Sequence, residues 1–195
     1  MNILLLGPQG SGKGTQARRI RETYGVPVIS TGDMIREMKE LPTPLGRELK
    51  EVYDRGDLVD DGLMIRLIGD RLSRGDTVPG FVLDGFPRTM VQAEALDELL
   101  RELGRRIDVV FDFQIPDRLQ LLERMLKRAE LESRSDDTPE AIQRRLEAYD
   151  RETAPLVEWY RTRYGNVVGI HADRTVDEVF DEIQEGLGAL EGRVA

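Results

Sequence analysis

The residues GPQGSGKGTQ at positions 7–16 set one lysine among four glycines, directly after the apolar run Ile3-Leu4-Leu5-Leu6. Gly7, Gly10, Gly12 and Gly14 carry no Cβ, so the backbone can take positive φ and turn several N–H groups toward one anion. A helix opening near Lys13 adds its positive dipole end at the same point, and the Lys13 ammonium adds a full charge. Gly10, Ser11, Gly12, Lys13, Gly14 and Thr15 are therefore candidates to cradle a polyphosphate. The spacing approaches G-x-x-x-x-G-K-S/T, but Gly14 takes the place after the lysine and the hydroxyl arrives one residue late, at Thr15.

Two further segments follow apolar runs in the same way. Ser30-Thr31-Gly32-Asp33-Met34-Ile35-Arg36 places Arg36 one helical turn beyond Asp33. Taken alone it reads equally well as a helix N-cap with a surface pair. Asp84-Gly85-Phe86-Pro87-Arg88-Thr89, with Gln92 three residues on, ends a buried run on a carboxylate, and Gly85 and Pro87 turn the chain so that Arg88 projects. A carboxylate there, across from a phosphate loop, is placed to organise hydrated Mg²⁺; the plainer reading is a strand-terminating turn. Arg124 and Arg128 share a helix face at i,i+4, and Arg134 and Arg145 follow. Most arginines are solvated surface. Several that can converge with Lys13 suit phosphoryl transfer, which needs electrostatic stabilisation of the moving group more than covalent help. Guanidinium forks match phosphate oxygens two at a time, which favours arginine over lysine in that task.

The elements that must position these groups alternate along the chain. Asn2–Leu6, Val26–Ile29, Phe81–Leu83, Val109–Phe113 and Val167–Ile170 read as short strands covered on both faces. Helices are expected over Lys13–Tyr24, Asp61–Ser73, Val91–Leu103 and Asp117–Ala129, then from Thr138 toward Tyr164, and after Thr175. Thr138-Pro139 is an N-cap with proline at the first position, and Thr175-Val176-Asp177-Glu178 is a capping box. Pro155 predicts a kink or break. The alternation predicts an α/β fold with a five-stranded parallel sheet and helices on both faces, ligands lying beyond the carboxyl ends of the strands. Between the second and third strands, residues 30–59 read as a small helical flap, with Thr43-Pro44 capping a helix to about Arg55; an ordinary long crossover is the alternative. Tyr149, Trp159, Tyr160 and Tyr164 fall at helical spacing near Pro155 and read as core packing. His171, the sole histidine, reads as a surface or cap residue.

At 195 residues the chain fits one α/β domain with a small insertion. Its net charge of −9 opposes long phosphodiester tracks, so no nucleic-acid partner is expected, while local arginines can still focus positive potential on a nucleotide. With no cysteine, disulfides and thiolate metal sites are excluded, and a reducing cytoplasm is compatible. The N-terminal apolar run has no basic flank and breaks at Gly7, which reads as a strand and not as a signal peptide or membrane span.

Taken in order, GPQGSGKGTQ (7–16), STGDMIR (30–36), GDLVDDG (56–62), GFVLDGFPRTMVQ (80–92), RSDD (134–137) and RLEAYDRETAPLVEWY (145–160) resemble the adenylate kinase family, and together they span nearly the whole chain. The resemblance implies ATP + AMP ⇌ 2 ADP with Mg²⁺, by direct in-line transfer. By the same resemblance, Lys13 and its loop hold the donor phosphates, and Arg36 and Arg88 grip the acceptor phosphate. Thr31 and Gln92, with Gly32, Gly85 and the backbone of Asp57, Leu58 and Val59, form the AMP site. Arg124 stacks on the donor adenine, Arg128, Arg134 and Arg145 clamp the moving phosphoryl, and Asp84 with Asp33 orders waters around Mg²⁺. The family's loop also reads G-K-G-T, with the metal held mostly through water. Only five residues separate Arg128 from Arg134, so the large lid of long-form members is missing and zinc is not expected. The implied organisation is one domain, 1–195, with an AMP flap at 30–59 and a short lid loop at 129–137; nothing in the sequence requires a partner protein, so a cytoplasmic monomer is expected. Two departures stand out: Pro8-Gln9 where the family's proline usually comes one place later, and a helix after Pro116 one residue longer before Arg124.

Two rival readings remain. A UMP/CMP kinase would share the scaffold, but those relatives usually carry a small apolar residue at the place of Thr31 and asparagine chemistry after the D-G-F-P-R turn. A slowly hydrolysing nucleotide switch would need a group poised for water and few phosphate arginines.

Overall fold

The computed structural model describes residues 1–132 and 137–194, with side chains through Leu190. All five residues of β1 (Asn2–Leu6) are buried, and β1 is the central strand. Around it run β2 (Val28–Ser30), β3 (Phe81–Asp84), β4 (Val109–Gln114) and β5 (Val167–His171), in the order β2-β3-β1-β4-β5 and all parallel. Strand side chains alternate between faces. Ile3 and Leu5 therefore enter one apolar cluster with residues of α1 (Lys13–Tyr24), α6 (Arg118–Leu131) and α9 (Val176–Val194). Leu4 and Leu6 enter the other, with α2 (Thr31–Lys39), α3 (Pro44–Arg55), α4 (Asp61–Leu72), α5 (Met90–Glu102) and α8 (Ala154–Tyr164). Each such side chain contributes about 2 kcal/mol on burial. The expected fold class is borne out.

Where boundaries differ from the sequence reading, local chemistry explains it. β2 begins after Pro27, which has no N–H to give the ladder, although its carbonyl still accepts from Val82 at 2.9 Å. The expected caps form: Thr43 accepts from Gly46 N at 3.0 Å, Thr138 from Ala141 N at 3.2 Å, and Thr175 and Glu178 exchange bonds at 3.0 and 3.3 Å. α2 and α3 pack together, with buried Lys39 paired to half-buried Asp54 at 2.6 Å.

Pro155 does not break its helix. α7 (Pro139–Ala148) instead passes through a π-helical turn, Tyr149–Thr153, into α8. α8 resumes at Ala154, so Pro155 stands in its first turn, where proline is tolerated. Of the aromatic group expected in the core, Tyr160 is buried. Tyr164 lies at the surface against Asp97, because α8 ends there, and Tyr149 faces a cleft. His171 is exposed, 3.0 Å from Glu182.

Candidate active site

The loop between β1 and α1 is shaped by what it packs on. Gly10 has φ 82°, and a Cβ there would sit 2.9 Å from Met125 Cγ and 3.1 Å from the Leu121 carbonyl of α6. A side chain at that position would push the loop off the helix. Inside the loop, Lys13 donates to the carbonyls of Gly7 and Pro8, both at 2.7 Å, and to Ser11 Oγ at 3.2 Å. All three ammonium donors are thus held by the lysine's own loop. Burial pulls the Lys13 pKa down to about 8; nearby Asp84 opposes this, while Arg88 and Arg128 add to it. Gly14 departs from the sequence reading. It lies within α1 and its φ is not positive, and what its missing Cβ leaves is room beside Asp84, whose Oδ2 is 3.6 Å from the Cβ position.

A cleft of about 700 Å³ opens at the carboxyl ends of the strands. The loop lines its floor with Gly10, Gly12, Lys13, Gly14 and Thr15, Ser11 being buried beneath. α2 brings Gly32, Asp33 and Arg36, the β3 end brings Asp84, Gly85 and Arg88, α6 brings Arg124 and Arg128, and α7 brings Arg145. Both α6 arginines reach the cleft despite the longer helix before them.

The arginines are each held by an identifiable partner. Arg36 donates to Tyr53 Oη at 2.9 Å and pairs with Asp33; burial opposes its charge, but Tyr53 and Asp33 outweigh that and raise its pKa. Arg88 donates from Nε to the Gly85 carbonyl at 2.8 Å. Burial holds its pKa below the ordinary value, Tyr53 and Asp84 oppose this, and Arg145 adds to it. Arg128 and Arg145 both pair with the fully buried carboxylate of Asp137, Arg128 at 2.5 Å. Arg145 also donates to the Tyr53 carbonyl at 3.0 Å. Arg124 donates to the Ala172 carbonyl at 2.8 Å. Arg134 lies outside the described residues, as does Asp136.

Behind Arg88 is a second, small cavity of about 20 Å³, lined by Thr31, Asp57, Leu58, Val59, Gly85 and Gln92 among others. It has room for a water, not a purine. Gly85 has φ 85°, and a Cβ there would lie 2.5 Å from Thr31 Oγ1. Only glycine allows the strand end to pass so close. Thr31 Oγ1 lies 3.4 Å from the Asp84 carbonyl. The Gln92 amide accepts from Arg88 N at 2.7 Å and donates to Asp61 Oδ1 at 2.7 Å. One hydrogen and one lone pair of that amide are left over. Asp57 pairs with Arg55 at 3.0 Å.

Sequence reasoning missed Tyr53, Asp61 and the bridging place of Asp137. Tyr53 carries no spacing signal, and Asp61, though within GDLVDDG, has nothing in that segment to point it at Gln92. Asp137 was visible as a neighbour of Arg134, but its grip on Arg128 and Arg145 depends on the fold.

A parallel sheet with a glycine-rich loop after its central strand, a lysine in that loop and several arginines around one cleft defines the class of P-loop nucleotide kinases. Comparison with known proteins narrows the class. The family model described as "Adenylate kinase" matches residues 5–164. The proteins named adenylate kinase from Xanthomonas euvesicatoria pv. vesicatoria (strain 85-10) and Xylella fastidiosa (strain 9a5c) are 44% and 45% identical over 188 residues, which is 96% of this chain and 100% of each relative. The chain belongs to the adenylate kinase family, as the ordered motifs indicated.

Proposed function

We propose how this family member carries out ATP + AMP ⇌ 2 ADP. An oxygen of the AMP phosphate attacks the terminal phosphorus of ATP in line. The new P–O bond forms as the bond to the ADP leaving oxygen breaks, with no phosphoenzyme. Lys13 and the loop hold the donor phosphates, and Arg124 stacks on the donor adenine. Arg36 and Arg88 grip the acceptor phosphate, while Thr31, Gln92 and the backbone of residues 57–59 read its base. Arg128, Arg134 and Arg145 stabilise charge on the moving phosphoryl.

Asp84 fits a hydrated Mg²⁺, which takes one or two carboxylates beside substrate phosphates. Its carboxylate lines the cleft next to the loop, with the space at Gly14 left open beside it. Asp33 would serve as the second carboxylate. Bound Mg²⁺ supplies neutralisation of phosphate charge. The protein's part is to fix Asp84 and to keep bulk water away.

The observation that carries this reading is the convergence of Lys13, Arg88, Arg128 and Arg145 on one cleft, each cation bonded to a protein oxygen that a phosphate can replace. The 20 Å³ cavity, too small for a purine, supports a movement of residues 30–59 to admit AMP; a short lid at 129–137, of which 133–136 lie outside the described residues, would close over ATP and expel water. The enzyme acts as a cytoplasmic monomer without zinc, nucleic acid or membrane. The acidic sequence opposes nucleic acid, and the lack of cysteine is compatible with a reducing cytoplasm. Among the described residues no helix is long and apolar enough to cross a membrane.

The test is ADP formation from MgATP with AMP, UMP, CMP or GMP in turn. Fast turnover with AMP alone is expected. Preference for UMP or CMP overturns the base-reading roles of Thr31 and Gln92, and transfer to none of them removes the kinase reading.

A further inference from the structure

The π-helical turn at Tyr149–Thr153 has a local result that no helix-forming preference explains. Ala154 N–H bonds to the Tyr149 carbonyl, five residues back, so the helix slips by one residue before α8 resumes. Thr153, buried at this slip, donates its hydroxyl to the Arg88 carbonyl at 2.8 Å. Residues 86–88 belong to no helix or strand, so neither the sheet nor α5 supplies a ladder bond there. The Arg88 N–H is held from the other side by Gln92 Oε1 at 2.7 Å, and the guanidinium Nε rests on the Gly85 carbonyl at 2.8 Å. Both backbone polar groups of one arginine are thus fixed by side chains, and Thr153 comes from the helical column that also bears Arg145. That column thereby ties the turn carrying Arg88 to the helix carrying a second cleft arginine. In an unbroken α-helix the residues beyond the slip would be rotated by about 100°, and position 153 would not face Arg88.

We propose that Thr153 is a positioning residue for Arg88: the π turn sets its hydroxyl on the Arg88 carbonyl and so fixes where the guanidinium meets the acceptor phosphate. The inference rests on the reading of Arg88 as a grip on that phosphate. Thr153 lines the cleft, but its hydroxyl is committed to the Arg88 carbonyl, so its effect on the acceptor phosphate runs through that residue.

A double-mutant cycle separates the two ideas. Thr153→Val keeps shape and removes the donor, and kcat/KM for AMP is expected to fall about tenfold to a hundredfold, because small misplacements of a catalytic group have effects of that size. KM for MgATP should stay within about twofold. Thr153→Ser, which restores a hydroxyl, should return the rate to within about threefold of the parent. In an Arg88→Ala background the valine change should alter the remaining rate by less than about twofold, since a residue acting through Arg88 has nothing left to position. An equal loss in both backgrounds overturns the proposal in favour of general structural support, and so does parental kcat/KM in the valine variant. If Arg88→Ala alone is near parental, the reading of Arg88 fails instead. Should the valine variant not fold, Thr153→Cys, whose thiol is a weak donor of similar size, takes its place with the same expected and contrary results.

Discussion

On the donor side of the cleft, Lys13 is held by Gly7, Pro8 and Ser11, at sequence separations of 6, 5 and 2. On the acceptor side, Arg88 is held by Gln92 at a separation of 4 and by Thr153 at 65, and its neighbour Thr89 bonds to Asp61 at 28. The first region is built from one contiguous segment, which Gly10 lets lie against α6. The second is assembled from α4, α5 and the π turn, and its cavity is too small for the base it is to read. On the proposed mechanism the loop is a preformed anion floor that captures the donor nucleotide. On the same proposed mechanism the acceptor wall completes itself only when the second nucleotide arrives, which keeps water from taking the phosphoryl group first.

The largest expected effect is on the acceptor side. Arg88→Ala should lower kcat/KM for AMP by roughly 10²–10³-fold with unfolding midpoint little changed, as for the loss of one preorganised donor to a developing charge. A coupled ADP assay beside a thermal scan reads both. Gly85→Ala strains a left-handed backbone and drives a methyl into Thr31. Stability should fall by about 2 kcal/mol in urea unfolding, and AMP turnover with it. An unchanged midpoint removes the claimed close approach.

The donor side is expected to show itself through pH. Lys13 titrates near 8 in the nucleotide-free protein, against 10.5 for an ordinary lysine. Between these values the unfolded chain binds more protons than the folded one, so Lys13 makes the empty protein more stable as pH rises from about 8 to 10.5. Nucleotide phosphates favour the ammonium, so ATP binding above pH 8 takes up a proton and weakens by up to about tenfold per pH unit. Titration calorimetry in two buffers of different ionisation heat at pH 9 measures the uptake; none in the parent protein, or the same uptake in Lys13→Met, contradicts the assignment. Thr31→Ala should have the smallest effect, raising KM for AMP about fivefold, the equivalent of about 1 kcal/mol, and relaxing base choice. Unchanged KM with UMP still unused would separate Thr31 from base recognition.

What could be read from sequence follows the same division. The strand, loop and helix at 2–24 are legible because the glycines, Lys13 and the apolar run are adjacent, and α1 falls on its expected bounds. Caps at Thr43, Thr138 and Thr175 are legible for the same reason, since a cap is a three-residue interaction. Pro155 signalled a disturbance but not its form, because whether a helix kinks, breaks or slips into a π turn depends on what the following face packs against. That Asp137 ties Arg128 to Arg145, or that Tyr53 sits under Arg36, follows from contacts between α2, α3, α6 and α7, which no local spacing encodes.

The most direct measurement is a crystal structure with an adenine nucleotide in each half of the cleft. The expected result is a 7–15 backbone that moves by less than about 1 Å, with residues 30–59 displaced, the cavity behind Arg88 opened around a purine, and phosphate oxygens replacing Asp33 and Tyr53 on Arg36. A purine bound elsewhere with that cavity still closed, or a loop rebuilt around the donor phosphates, contradicts the division between a preformed donor floor and an acceptor wall completed on binding.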